Sequence, residues 1–170
     1  FNQALNNWDV SNVTNMDSMF RHATSFNQGL NSWNTANVTN MNMMFFDAHS
    51  FNGDISNWNV SSVTTMSRTF ESASVFNKPI DSWNIVNVTD MSYMFSGAQS
   101  FNQALNGWNT SNVTNMLEMF AYANSFNQAL NNWDVSKVSN MTRMFRSAIS
   151  FNSSLSNWNL TGTTSIAEMF

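Results

Sequence analysis

Residues 1–25 read FNQALNNWDVSNVTNMDSMFRHATS, and the same pattern begins again at Phe26, Phe51, Phe76, Phe101, Phe126 and Phe151. A fixed period of this length marks a repeat architecture, in which each unit is stable only against its neighbours. All seven tryptophans, Trp8, Trp33, Trp58, Trp83, Trp108, Trp133 and Trp158, fall in one column. A second Phe column runs Phe20, Phe45, Phe70, Phe95, Phe120, Phe145 and Phe170, which leaves Phe46 alone outside the two columns. Nothing interrupts the register. Residues 1–170 therefore read as a single domain of seven 25-residue coils, 1–25, 26–50, 51–75, 76–100, 101–125, 126–150 and a shorter 151–170.

Two periodicities alternate inside each coil. Trp8-Asp9-Val10 alternates apolar and polar residues as a short half-buried strand does, and later coils keep the pattern apart from Thr35 and Thr110. Met16, Met19, Phe20 and Ala23 are spaced to share one face of about two helical turns. The expected fold is a repeat solenoid with short parallel strands on one face and short helical or 3₁₀ segments on the other. Burying a larger apolar side chain is worth about 1.5–3 kcal/mol, against about 1–2 kcal/mol of backbone entropy per residue. Contacts between coils must tip that balance, so the aromatic and Met columns read as core rather than as a ligand cage.

Composition narrows the function. Charged residues are 9% of the chain, the net charge is −4, and the six Lys and Arg are scattered singly. Counterion release then has no basic patch to act from, which argues against nucleic acid and against an acidic membrane surface. The absence of Cys removes disulfides, thiolate nucleophiles and Cys-based zinc sites. No apolar run approaches the roughly 18 residues of a membrane span, and no signal-peptide pattern is present. Because the chain opens with Phe on a repeat boundary, it is expected to be part of a longer polypeptide.

Three polar columns carry the candidate sites. Asn2, Asn27, Asn52, Asn77, Asn102, Asn127 and Asn152 are identical in every coil and read as a structural ladder that satisfies backbone groups between coils. Asn supplies no charge for calcium, so a cation row is disfavoured. Asp9, Asn34, Asn59, Asn84, Asn109, Asp134 and Asn159 should face outward beside the strand as a possible binding face. Near them runs a hydroxyl column, Thr14, Thr39, Thr64, Thr89, Thr114, Ser139 and Thr164. Such a face suits carbohydrate or another surface; an ice-binding face would want paired Thr ranks, and column 12 is mostly Asn. Possible N-glycosylation sequons are Asn12, Asn37, Asn59, Asn87, Asn109, Asn112, Asn140 and Asn159, with the Asn-Val-Thr column expected to be the best of them and Asn152, in the ladder, the worst.

Catalytic groupings are not apparent. The ten Asp and Glu are spread singly, and His22 and His49 sit at different repeat positions, so they read as surface residues rather than bases or metal ligands. No catalytic residue, cofactor or metal is expected, and the chain reads as a non-enzyme.

The run L-x-x-W-x-V at Leu5–Val10, then SNVTxM and MFxxA, resembles the repeats of the BspA-like leucine-rich repeat surface proteins. It is most similar to the 25-residue subgroup first noted in mycoplasma lipoproteins. Thr69, Pro79 and the Gly162, Thr163 and Ile166 substitutions depart from that pattern. The resemblance implies a leucine-rich-repeat-like solenoid, extracellular or on a cell surface, with adhesion to a protein or carbohydrate ligand and no enzymatic activity. The alternative is a structural subunit of an extracellular fibre or coat, made by end-to-end stacking of solenoids. Position 18, reading Ser18, Met43, Arg68, Tyr93, Glu118, Arg143 and Glu168, is the most variable column and a second possible ligand face. Both ends present ordinary repeat residues, so each is expected to abut a further coil.

Overall fold

The computed structural model describes all of residues 1–170. The coils stack with residue i over residue i+25. Phe20 stacks on Phe45 at 5.3 Å and Phe45 on Phe70 at 5.6 Å, and the column continues to Phe170. The column begun by Phe1 stacks at 5.8–6.0 Å along its whole length. The two Phe columns also interlock: each position-20 ring lies 3.9–4.3 Å from the first Phe of the next coil, as Phe45 does from Phe51. Each such contact adds about 0.5–1.5 kcal/mol beyond simple burial. Leu, Ile, Val and Met columns complete a single cluster of 46 buried residues running from Leu5 to Ala148.

The expected helical segment is absent, and so is the expected strand. None of the 74 backbone hydrogen bonds lies within a helix or strand. Positions 16 to 26 form a string of tight turns in which Met19, Arg21, Ala23 and Phe26 N–H groups bond the carbonyls three residues back. The alternate N–H groups go to the next coil, Met16 to Asn40 O, Ser18 to Asn42 O, Phe20 to Met44 O and His22 to Phe46 O. A helix would spend all of these donors along its own axis and leave adjacent coils unjoined. The chain turns inward and outward every four residues by placing positions 18 and 22 in the left-handed region. Ser18 has φ 58° and His22 φ 59°, and the same holds for Arg68, Ser72, Tyr93 and Tyr122. Positive φ at the third residue marks a type II turn. Gly97 is the only glycine among these positions, so each of the others costs about 1–2 kcal/mol, offset by the inter-coil bonds.

Parallel pairing occurs only as single bridges between position-15 residues, Asn15 with Asn40 and so on to Asn140 with Ser165. It therefore lies several residues beyond the expected Trp8-Asp9-Val10 strand. That segment is held instead between turns closed by Trp8 N to Leu5 O and Val13 N to Val10 O. Thr35 and Thr110, which break the apolar pattern there, are 1% exposed; their hydroxyls donate to the Asn59 and Asp134 carbonyls at 2.9 Å.

Two side-chain ladders lock the register. Asn27 N donates to Asn2 Oδ1 at 2.8 Å, Asn52 N to Asn27 Oδ1 at 2.7 Å, and the series runs on to Asn152 N and Asn127 Oδ1. Every indole from Trp33 onward donates Nε1–H to the position-5 carbonyl of the preceding coil, as Trp83 does to Ile55 O at 3.3 Å. A one-coil slip would preserve both ladders, but a one-residue slip would break every rung.

Trp83 is 3% exposed and makes both kinds of contact, whereas Trp8, with no coil beneath it, is 54% exposed. Trp83→Ala is expected to cost about 3–5 kcal/mol, typical of a truncated buried aromatic. Trp8→Ala should cost less than half of that, and Asn84→Ala, on the surface, under about 0.5 kcal/mol. Urea melts of the three variants check this ordering, and an Asn84→Ala variant less stable than Trp83→Ala would reverse the assigned faces.

Candidate functional site

The expected binding face does reach solvent: Asp9, Asn34, Asn59, Asn84, Asn109, Asp134 and Asn159 are all exposed. Their oxygens, however, are already engaged. Each Oδ1 accepts the N–H two residues on, from Ser11 N to Asp9 at 3.0 Å through to Thr161 N to Asn159 at 3.1 Å. These Asx turns carry the chain from one coil edge to the next. The neighbouring hydroxyl column is exposed as well, and it too points along the stack. Thr39 donates to Thr14 O at 3.1 Å, and the pattern repeats to Thr164 and Ser139 O. What this face offers a ligand is a repeating, nearly uncharged surface of Thr and Asn side chains whose hydroxyls and amide oxygens are already engaged.

The same bonds distinguish the sequons from one another. In the Asn-Val-Thr column the Nδ2 atoms of Asn37, Asn87 and Asn112 donate to the Ser11, Ser61 and Val86 carbonyls at 2.7–2.9 Å. A glycan attached to that nitrogen would have to share it with an inter-coil bond. At Asn59, Asn109 and Asn159 the residue is exposed and its oxygen, not its nitrogen, is the hydrogen-bonded atom, which makes these the more accessible acceptors. Asn12, in the first coil, is exposed. Asn140 is half-buried with its Oδ1 on Thr142 N, and Asn152 lies in the ladder.

The variable residues gather elsewhere. Positions 17, 18, 21, 22 and 24 line the turn string as one strip along the stack, exposed or half-buried apart from Ser92, Ser96 and Ala121. All four arginines, both tyrosines and both histidines of the chain lie on it. They pair across coils, often at an offset of 25: Arg68 lies 4.0 Å over the Tyr93 ring, and Arg143 bridges Glu118 at 3.6 Å and Glu168 at 2.8 Å. Arg21 lies over Phe46, Arg146 over Tyr122, and His22 Nδ1 is 3.2 Å from Asp47. His49 Nδ1 meets the Ser72 carbonyl at 2.9 Å, so the two histidines have separate partners and do not converge. The hydrogen bond and charge of Arg143 hold Glu168 below the usual carboxylate range. Burial pushes Glu71 up despite Arg68 beside it at 2.7 Å. The pairing of this strip was not read from the sequence, although comparing residues 25 apart would have exposed most of it.

The comparisons with known proteins come to a single finding. No curated protein and no solved structure matches the chain. The family model described as Mycoplasma protein of unknown function, DUF285, matches twice, over residues 1–108 and 69–170, and together these cover the full length.

Three carboxylates stand on the coil edge where other coils carry Asn or neutral residues. Hydrogen bonds from the Ser11 hydroxyl and N–H hold Asp9 below its ordinary value, those from Ser136 do the same for Asp134, and those from Ser56 for Asp54. A carboxylate depressed in the folded state contributes stability that is fully present above the unfolded value of about 3.9 and is lost as pH falls through the folded value. The Asp9→Asn, Asp54→Asn, Asp134→Asn variant is therefore expected to melt with a shallower loss of stability below pH 4 than the parent; equal slopes would show that these turns do not sense pH. Matched by the family model from end to end, the chain belongs to the DUF285 family.

Proposed function

We propose that this chain is a leucine-rich-repeat-like solenoid of an extracellular surface protein. It acts without catalysis as an adhesion or binding scaffold, gripping a protein or carbohydrate ligand with the variable turn strip. The observation that carries the reading is the division of labour between columns. Core and ladder positions are nearly constant from coil to coil, while Arg, Tyr and His residues concentrate on positions 17 to 24. Tyr and Arg are among the residues enriched in binding hot spots, Tyr because it brings large contact area with few rotatable bonds and Arg because its planar guanidinium offers several donors at once. On this strip they are exposed or half-buried, with Tyr122 43% exposed. Their backbone is fixed by the inter-coil bonds of positions 18 and 22, so little ordering entropy remains to be lost on binding. The Thr and Asn face is the second surface of the scaffold and suits a flat, repeating ligand such as a polysaccharide.

The test is retention of chain-coated beads on a glycan array and on immobilised extracellular-matrix proteins. Saturable binding is expected, with at least a tenfold loss in the Tyr93→Ala, Tyr122→Ala, Arg146→Ala variant at an unchanged melting temperature, equivalent to about 1.4 kcal/mol. Binding that survives this variant, or no saturable binding to any surface, would overturn the reading.

A further inference from the structure

The dipeptide Asn-Gly occurs twice in the chain, as Asn52-Gly53 and Asn106-Gly107. In this pair a main-chain nitrogen can attack the preceding side-chain amide with little hindrance, because glycine has no Cβ and a permissive backbone. The two copies sit in different surroundings. Asn106 and Gly107 are the central residues of a turn closed by Trp108 N to Leu105 O at 3.1 Å, with Asn106 half-buried and Gly107 exposed. Column 6 carries a partial third ladder: Asn57 N donates to Asn31 Oδ1 at 2.7 Å, Gly107 N to Asp81 Oδ1 at 3.2 Å and Asn132 N to Asn106 Oδ1 at 3.0 Å. Of these acceptors Asp81 alone is a carboxylate. The missing side chain of Gly107 is what admits it, since a Cβ there would lie 3.1 and 3.3 Å from its two oxygens. A carboxylate within hydrogen-bond reach of an N–H is placed to act as its general base. The Asn132 N–H in turn sits on the amide oxygen where negative charge develops during attack, as an oxyanion donor does. At the other copy Asn52 Oδ1 likewise accepts Asn77 N, but Gly53 is buried against the Gln28 carbonyl oxygen and its N–H meets no carboxylate.

We propose that Asn106 is a self-modifying residue, converted through a succinimide to aspartate and isoaspartate with Asp81 as the base. Gly107 N bonds to Asn106 Cγ as its proton passes to Asp81. The Cγ–Nδ2 bond then breaks, and Nδ2 leaves as ammonia with that proton, so that the Asp81 carboxylate is regenerated. Water opens the five-membered ring that remains. Attack at Cγ gives aspartate at position 106; attack at the main-chain carbonyl gives isoaspartate, in which the chain runs on through the side chain. The aspartate product fits the ladder, because Asp81 already shows a carboxylate of column 6 accepting a rung. It also sets two carboxylates on adjacent coils of a chain in which only 9% of residues are charged. The isoaspartate product adds a methylene to the main chain of a stack whose seven coils contain no insertion, and so loosens the fifth coil. The site lies on a different coil edge from the variable turn strip, and its failure would leave the surface-ligand reading untouched.

The test is peptide mass mapping of the folded chain during prolonged incubation at neutral pH. The peptide holding Asn106 is expected to lose the mass of one ammonia and then gain that of one water, with the aspartate and isoaspartate forms separated by chromatography. Its conversion should outpace that of Asn52 by about tenfold or more. Asp81→Asn keeps an acceptor of the same shape for the Gly107 N–H, as Asn31 is for Asn57 N, and removes the base. This variant should melt within a few degrees of the parent, slow conversion at Asn106 by about tenfold, and leave Asn52 unchanged. In urea, where the Asp81 contact is lost, the two sites should convert at similar rates. Equal rates at Asn106 and Asn52 in the folded chain would overturn the proposal, as would an Asn106 that does not convert. So would undiminished conversion in Asp81→Asn, or a lead for Asn106 that persists in urea and therefore comes from local sequence alone.

Discussion

The structure depends on one constraint: every coil must present to the next an identical pattern of donors, acceptors and rings at a single spacing. Neither the backbone nor the core is self-sufficient within 25 residues. The position-16, 18, 20 and 22 N–H groups have their acceptors in the following coil, and the Phe and Trp rings have their stacking partners there. Stability therefore accrues at interfaces, and any residue that disturbs the register of one coil is felt by two neighbours. This explains why insertions are absent while single substitutions on the turn strip are tolerated.

The same constraint accounts for the backbone. Positive φ at two non-glycine positions per coil would be a poor choice in an isolated loop. Here it is what lets N–H groups alternate between closing a turn and reaching the next coil. Polar side chains are drawn into the same task. Asn2 and its equivalents, the position-12 amides and the Thr column all bond along the stack axis, so a chain with 9% charged residues keeps its buried polar groups satisfied with neutral donors. Thr163 Oγ, in the last coil, is the one buried side-chain oxygen left without a partner.

Variation among coils is separated from this framework in space. Columns that carry rungs cannot vary without loss of stability, whereas positions 18 and 22 contribute to the framework only through their backbone, so their side chains are free to differ. Arg68 with Tyr93 and Arg143 between Glu118 and Glu168 show what that freedom produces: exposed charges and rings pre-paired across coils on a rigid base. Membership of the DUF285 family places the repeat in a group described as of unknown function, so the proposed binding role rests on the chemistry of this strip alone.

The period, the seven coils, the inward columns and the Asn column were all legible in the residues, because each is a recurrence that no other arrangement of 25-residue units would require. Which residues face inward was legible from the spacing of Met16, Met19, Phe20 and Ala23. How the backbone puts them there was not, since a helix and a string of type II turns bury the same spacing. The choice between them falls to the packing of coil on coil, because N–H groups needed by the adjacent coil cannot also close a helix. It also decided that the Asp9 column spends its oxygens on Asx turns and that the Asn-Val-Thr amides are bonded inward. Those outcomes depend on where a neighbouring carbonyl lies, which the local sequence around each Asn does not encode.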